Sequence, residues 1–303
     1  MPDPFSLLPV LPTTVVGSFP AAGGKGILGY LAPARQALRV AVGAQIRAGI
    51  DIISDGQVRG DMVRSFTSRI PGIRGSDVVG PVLPPDGPIT VPDVRYALSR
   101  HRFVKGILTG PTTLAFGLRI ATPAYRDRAD LAMDLAKVLA GEARALERAG
   151  VCMIQVDEPV LSTGAADPAE AQRAFSVVAA GASVPVALHV CGDLSSVIDD
   201  LWKFPADVLD IECARSPGNL SLVSPGDLGG RRVAVGCVDS ADPRVEGVDE
   251  IEGRIRAAVE RLGADRLLVD PDCGLRMLPV ESAEGKLVHM VRAARKVREE
   301  LEE

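Results

Sequence analysis

Short apolar runs rich in β-branched residues alternate along the chain with longer stretches whose apolar positions recur every three or four residues. The short runs are TTVVGSF (13–19), DIISDG (51–56), KGILTG (105–110), VCMIQVDE (151–158), PVALHVCGD (185–193), VLDIECA (208–214), RVAVGCVDS (232–240) and RLLVDPDC (266–273). Most are continuously apolar, as parallel strands covered on both faces should be. The longer stretches predict helices over 33–49, 126–150, 248–263 and 282–303, the first two closing on glycine. Strand–helix alternation repeated eight times predicts an α/β chain, a single (β/α)8 barrel over 1–303. An open doubly wound sheet is the alternative, but no G-x-G-x-x-G follows any strand.

One segment breaks the rhythm. Residues 71–93 carry ten Gly or Pro in 23 positions. An insertion of this kind reads as a functional loop or a disordered one, placed to fold over one end of the barrel.

Composition narrows the class further. The chain has 303 residues, 47% of them apolar, and a net charge of −5. That supports a large core and argues against a nucleic-acid partner. No apolar run is long enough to cross a membrane, and the N-terminal MPDPFSLLPVLP lacks the basic start of a signal peptide. Five widely spread cysteines do not read as a disulfide framework and suit a reducing cytoplasm.

Polar residues cluster at the ends of the predicted strands: Ser18, Asp55, Thr109, Asp157 with Glu158, His189 with Cys191, Glu212, Asp239 and Cys273. In a (β/α)8 barrel those ends ring the active-site face. His189 and Cys191 share a strand face by the two-residue period. With Glu212 and Cys273 they would complete a tetrahedral site whose thiolate and imidazole ligands favour zinc. Cys152 and Cys213 are expected to turn away as small buried hydrophobes; Cys237 cannot be phased. His101 and His289 read as surface or boundary residues. Asp55, Arg59 and Asp61 are placed to form an ion-pair network.

Seven motifs, in order, resemble the catalytic domain of cobalamin-independent methionine synthase: TTVVGSFP (13–20), DGQVRGDMVRSF (55–66), LTGPTTL (108–114), IQVDEP (154–159), LHVCG (188–192), DIECARS (210–216) and DPDCGLR (270–276). The resemblance implies a (β/α)8 barrel, zinc on the positions matching His189, Cys191, Glu212 and Cys273, and homocysteine near Gly17, Ser18 and Asp157. Asp157 is then expected to pair with the substrate ammonium, and Gly17 and Ser18 to hold its carboxylate. Gln57 stands where the family has a homocysteine-contacting glutamate. Its folate-facing tryptophan falls near Gly117, and its catalytic histidine near Ala241. The length leaves no room for the family's second barrel.

These departures resemble the short members thought to take their methyl group from a corrinoid on another protein. The expectation is therefore a zinc-dependent methyltransferase that forms methionine from homocysteine, with a methyl-corrinoid donor and a corrinoid protein as partner. Residues 71–93 are then expected to be mobile enough to admit the corrin. Zinc on the substrate sulfur would keep it a thiolate at neutral pH, and Glu212, the hard oxygen donor, is expected to yield to that sulfur. The rival readings are a folate-dependent methionine synthase, a coenzyme M type zinc alkyltransferase, and a non-catalytic corrinoid-docking subunit.

Overall fold

A computed structural model describes residues 4–21 and 32–302. Nine strands are present among them. Three are short: β1 (Ile73–Arg74), β2 (Asp77–Val78) and β4 (Arg119–Ile120) form a separate sheet in the order β1-β2-β4. The other six are β3 (Lys105–Thr109), β5 (Met153–Asp157), β6 (Val186–Val190), β7 (Val208–Glu212), β8 (Arg232–Val238) and β9 (Leu267–Pro271). They run parallel in the order β3-β5-β6-β7-β8-β9.

The ring closes through the first two predicted strands, which contribute less than expected. Thr13 bridges Val269 of β9, Ile53 bridges Val104 beside β3, and Ile52 donates to the Thr13 carbonyl at 3.0 Å. Each segment stays alongside its neighbours for only a few residues. Gly17 (φ 153°) and Gly56 (φ 79°) then turn the chain away in conformations other residues seldom adopt. The eight-membered barrel thus has six full strands and two short extended staves.

The four long helices appear almost where periodicity placed them: Pro33–Ala48, Arg128–Ala149, Val248–Leu262 and Val280–Glu302. Arg128–Ala149 starts at Asp127, whose carboxylate accepts the Asp130 N–H at 2.9 Å. Helices on the β6 and β7 connections are shorter, at Ile198–Leu201 and Gly218–Leu222.

The inner wall of the barrel is layered. Ile52, Met153, Ala187, Val208, Ala234 and Leu268 form a closed apolar layer near the strand starts. Because side chains alternate faces, the inward residues two positions further on are Gln155, His189, Asp210, Gly236 and Asp270. Two further still come Asp157, Cys191 and Glu212. A dry floor therefore underlies a polar storey and then the mouth.

The Gly/Pro-rich segment is anchored at several points. It holds β1 and β2, and its Val82 N–H donates to the Tyr125 hydroxyl at 2.7 Å. The buried Glu142 carboxylate accepts the Ile89 and Thr90 N–H groups at 2.7 Å each. Gly and Pro here shape turns, and the N–H groups of Val82, Ile89 and Thr90 find side-chain partners.

Candidate metal centre and substrate pocket

The ligand atoms of His189, Cys191 and Cys273 lie within 4.8 Å of one another. β6 supplies the first directly and the second just past its end; Cys273 follows β9. The period that put His189 and Cys191 on one face therefore holds. Asp210, one strand over and in register with His189, places Oδ1 2.9 Å from His189 Nδ1. The pair is close but poorly aligned as a hydrogen bond, and buried Nε2 also has no hydrogen-bond partner. A buried imidazole backed by a carboxylate, with a free nitrogen beside two thiols, is the donor set of a soft or borderline divalent ion. The residues present fit zinc.

The three side chains are electrostatically coupled to one another and to Asp210. The Cys273 contact lowers the Cys191 thiol pKa against the opposing pull of burial. Cys273 is raised, first by that same contact and then by burial. Burial opposes a charge on His189, but Asp210 and Cys273 together outweigh it and hold the imidazole above its ordinary value.

Glu212, the expected exchangeable fourth ligand, stands apart from the other three. It lies beside the trio but outside it. Its Oε2 accepts the Gly192 N–H at 3.1 Å and its Oε1 the Ser216 hydroxyl at 2.8 Å. Asn219 ties this corner together, donating to the carbonyls of Gly192 (2.8 Å) and Glu212 (2.7 Å).

The substrate candidates line the same mouth. Asp157 is buried, in register with His189, and burial pushes it up to about 6 although His189 pulls it down. Gly17 is buried and Ser18 half-buried. Ser18 packs so close to Gly274 that a Cβ there would lie 1.9 Å from its hydroxyl. The Leu275 N–H donates to the Ser18 carbonyl at 2.8 Å, which ties the loop carrying Cys273 to the Gly17–Ser18 turn. Gln57 has a left-handed backbone (φ 43°). That conformation is costly for a residue with a side chain, and such strain gathers at functional sites. Its amide oxygen lies 3.1 Å from where a Gly17 Cβ would stand.

Other strand-end polar residues prove structural. Glu158 turns from the mouth and accepts from Thr112 N, Thr113 N and Thr113 Oγ1 at 2.7–2.9 Å. Thr109 donates to the Met62 carbonyl at 2.7 Å, and Asp239 accepts the Ala241 N–H at 2.7 Å. The expected Asp55–Arg59–Asp61 network is not formed. Arg59 pairs with Asp93 (Nη2–Oδ1 2.6 Å), Asp61 accepts the Val63 and Arg64 N–H groups, and Asp55 accepts that of Gln57. Cys213 and Cys237 are buried hydrophobes, as is most of Cys152 at the barrel's other end. His101 and His289 are half-buried, each against a backbone carbonyl.

Sequence reasoning missed Asp210, Gln155, Lys105, Asp270 and Asp272. Lys105 carried a signal, a cation opening an otherwise apolar strand. Asp272 accepts the Cys213, Ala214 and Arg215 N–H groups at 2.8–2.9 Å and so locks the Cys273 loop to the end of β7.

A parallel α/β barrel with two thiols and a carboxylate-backed imidazole converging at its strand ends is the architecture of a barrel enzyme with a candidate metal centre at its mouth. The chain belongs to the family whose model is described as cobalamin-independent synthase, catalytic domain, matched over residues 11–296, and it is a methyltransferase. It is 44% identical over 306 residues to methionine synthase of Methanothermobacter thermautotrophicus, covering 93% of this chain and 99% of that protein. It is 34% identical over 347 residues to the 5-methyltetrahydropteroyltriglutamate–homocysteine methyltransferase of Burkholderia mallei, covering 98% of this chain and 44% of that one. Among solved structures, a B12-independent methionine synthase from Shewanella in complex with selenomethionine superposes with a TM-score of 0.85 at 27% identity, covering 96% and 99% of the two chains.

These findings correct the expected donor. The family is cobalamin-independent, so neither the methyl-corrinoid nor the corrinoid protein partner stands. That expectation leaned on the lack of room for a second barrel and on side chains absent near Gly117 and Ala241, both outside the strands. An absent side chain in a loop shows only that this chain does not use that residue. It does not identify the donor. Among the described residues no helix is long and apolar enough to cross a membrane.

Proposed function

We propose that this protein is a zinc-dependent methionine synthase that transfers a methyl group from a methyltetrahydropteroyl donor to the thiol of homocysteine. The convergence of His189, Cys191 and Cys273 carries the reading. Relatives matched along the whole chain are named methionine synthase, a longer one is named for the pteroyl donor, and a structural neighbour binds an amino acid with a methylated chalcogen.

His189, Cys191 and Cys273 hold the metal, with Glu212 at the remaining position. Zinc bound there supplies the Lewis acidity that keeps a thiol deprotonated near neutral pH. Glu212 is already paired with Gly192 N and Ser216 Oγ, so its carboxylate would keep hydrogen-bond partners if it were not a metal ligand. Asp157 receives the substrate ammonium, while Ser18 and the Gly17 backbone receive its carboxylate. Gln57 packs over that turn and lines the pocket beside the amino-acid end. Together they orient the sulfur toward the methyl carbon, the main contribution to rate that a positioned bimolecular reaction needs. The pteroyl nitrogen leaving with the broken bond takes a proton from an acid other than residue 241, which is alanine. The five free cysteines suit a reducing compartment, and we place the protein in the cytoplasm. We also read the chain as one domain, with 71–93 as its insertion.

The deciding experiment supplies homocysteine with methyltetrahydrofolate, or its triglutamate, to protein of known zinc content. Methionine should form, and X-ray absorption at the zinc edge should show an oxygen replaced by sulfur when homocysteine is added. An unchanged zinc shell at saturating homocysteine, or no methionine from either pteroyl donor, overturns the reading.

A further inference from the structure

Gln155 sits wholly buried in the polar storey, between the apolar floor and the mouth. Its Nε2 donates to Asp157 Oδ1 at 2.7 Å and to the Val16 carbonyl at 2.7 Å. Its Oε1 accepts from the ammonium of Lys105, itself buried. An amide has one accepting and one donating end, an ammonium only donates, and a carboxylate or carbonyl oxygen only accepts. The three partners therefore permit a single orientation of the amide. Both of its N–H bonds are used, one on each side of the pocket that the proposed function assigns to the amino-acid end of the substrate. Val16 directly precedes Gly17 and Ser18.

We propose that Gln155, anchored by Lys105, is the positioning residue that holds Asp157 and the Val16–Ser18 turn at a set separation and thereby makes the enzyme select thiols bearing an α-ammonium and an α-carboxylate. The inference rests on the proposed role of Asp157. With Oδ1 held by Gln155, the substrate ammonium falls to the other oxygen in a defined direction. Without Lys105 the buried amide oxygen loses its donor, and Gln155 is held only through its two Nε2 bonds to Asp157 and the Val16 carbonyl. Buried polar chains of this kind act as a unit, since each member is costly to leave unpaired. A solely structural role predicts lost stability with unchanged selectivity; the positioning role predicts the reverse emphasis.

The test uses calorimetry on the zinc-loaded protein with homocysteine and with 4-mercaptobutanoate, the same thiol acid without the amino group. Wild type should prefer homocysteine. Gln155→Met should keep about one zinc per chain and lose at most a few-fold affinity for 4-mercaptobutanoate, yet bind homocysteine roughly tenfold more weakly. Lys105→Met should shift the preference the same way by a few-fold. Asp157→Asn combined with Gln155→Met should be no worse than Asp157→Asn alone, because the two act through one contact. Unchanged preference in Gln155→Met, or additive losses in the double variant, overturns the inference. If Gln155→Met does not fold, Gln155→Asn keeps the amide but shortens it and serves the same comparison. Should Asp157→Asn itself leave the preference intact, the fault lies with the proposed role of Asp157, not with the relay.

Discussion

The two ends of the barrel interior are built from the same strands and could hardly differ more. Below, Ile52, Met153, Ala187, Val208, Ala234 and Leu268 pack against one another. A cavity of about 980 Å3 opens beneath them, lined in part by Phe5, Phe103 and Cys152. Above, the same strands carry Gln155, His189, Asp210 and Asp270, all buried. Among the described residues, the one group of three or more His, Cys, Asp or Glu side chains able to share an ion lies at this upper end. Volume does not make the site; convergent donors on a rigid floor do. The lower layer contributes stability by burying apolar area. The upper layer holds charge out of water at a cost, which the partners placed around it offset.

That contrast can be broken most sharply at the metal. Cys273→Ser should lower zinc from about one per chain to below ~0.1 after dialysis while leaving the fold intact, because the floor beneath does not depend on the ion. Elemental analysis with circular dichroism checks both halves, and retained zinc would sink the ligand assignment. In the lower layer, Leu268→Ala should cost about 2–5 kcal/mol in denaturant unfolding and leave the zinc content of the folded protein unchanged. Loss of zinc in that variant would show that the two ends are not separable.

Asp157→Asn should weaken homocysteine by roughly 2–3 kcal/mol, by calorimetry, with zinc retained. Equal affinity would return Asp157 to a structural role. The smallest effect concerns pH. Burial pushes Asp55 up to about 6, against the Gln57 N–H that favours its ionised form. The folded chain therefore holds this proton more tightly than the unfolded one. The resulting stability is fully present below about 4 and lost as pH rises through about 6. Asp55→Asn should thus be more stable than wild type at pH 8, by about 1–3 kcal/mol, and gain little at pH 4. Denaturant midpoints that differ equally at both pH values would contradict the buried, proton-holding Asp55.

Much of the site was legible because a strand imposes a period of two on whatever it carries. His189 and Cys191 had to share a face, strand-end placement added Cys273, and the seven ordered motifs favoured a substrate role for Asp157. Spacing placed Glu212 on the same face but could not show that its carboxylate is also paired with Ser216. The same reasoning overstated the first two strands. TTVVGSF and DIISDG have strand composition, but Gly17 and Gly56 end their pairing after a bridge or two. The donor was misread for a related reason: Gly117 and Ala241 lie in loops, where a missing side chain carries little weight.

By itself the sequence determined what depends on near neighbours: the apolar runs, the helical periods, the glycines that close them and the polar residues at the strand ends. These follow from backbone geometry that repeats every two or 3.6 residues. Only the tertiary structure decided which of those residues meet. Lys105 reaches Gln155 across fifty positions and Gln155 reaches Val16 across 139. Asp272 reaches the Cys213 N–H across 59. Strand register and the paths of the connecting loops set those distances, and neither leaves a period in the chain from which to read them.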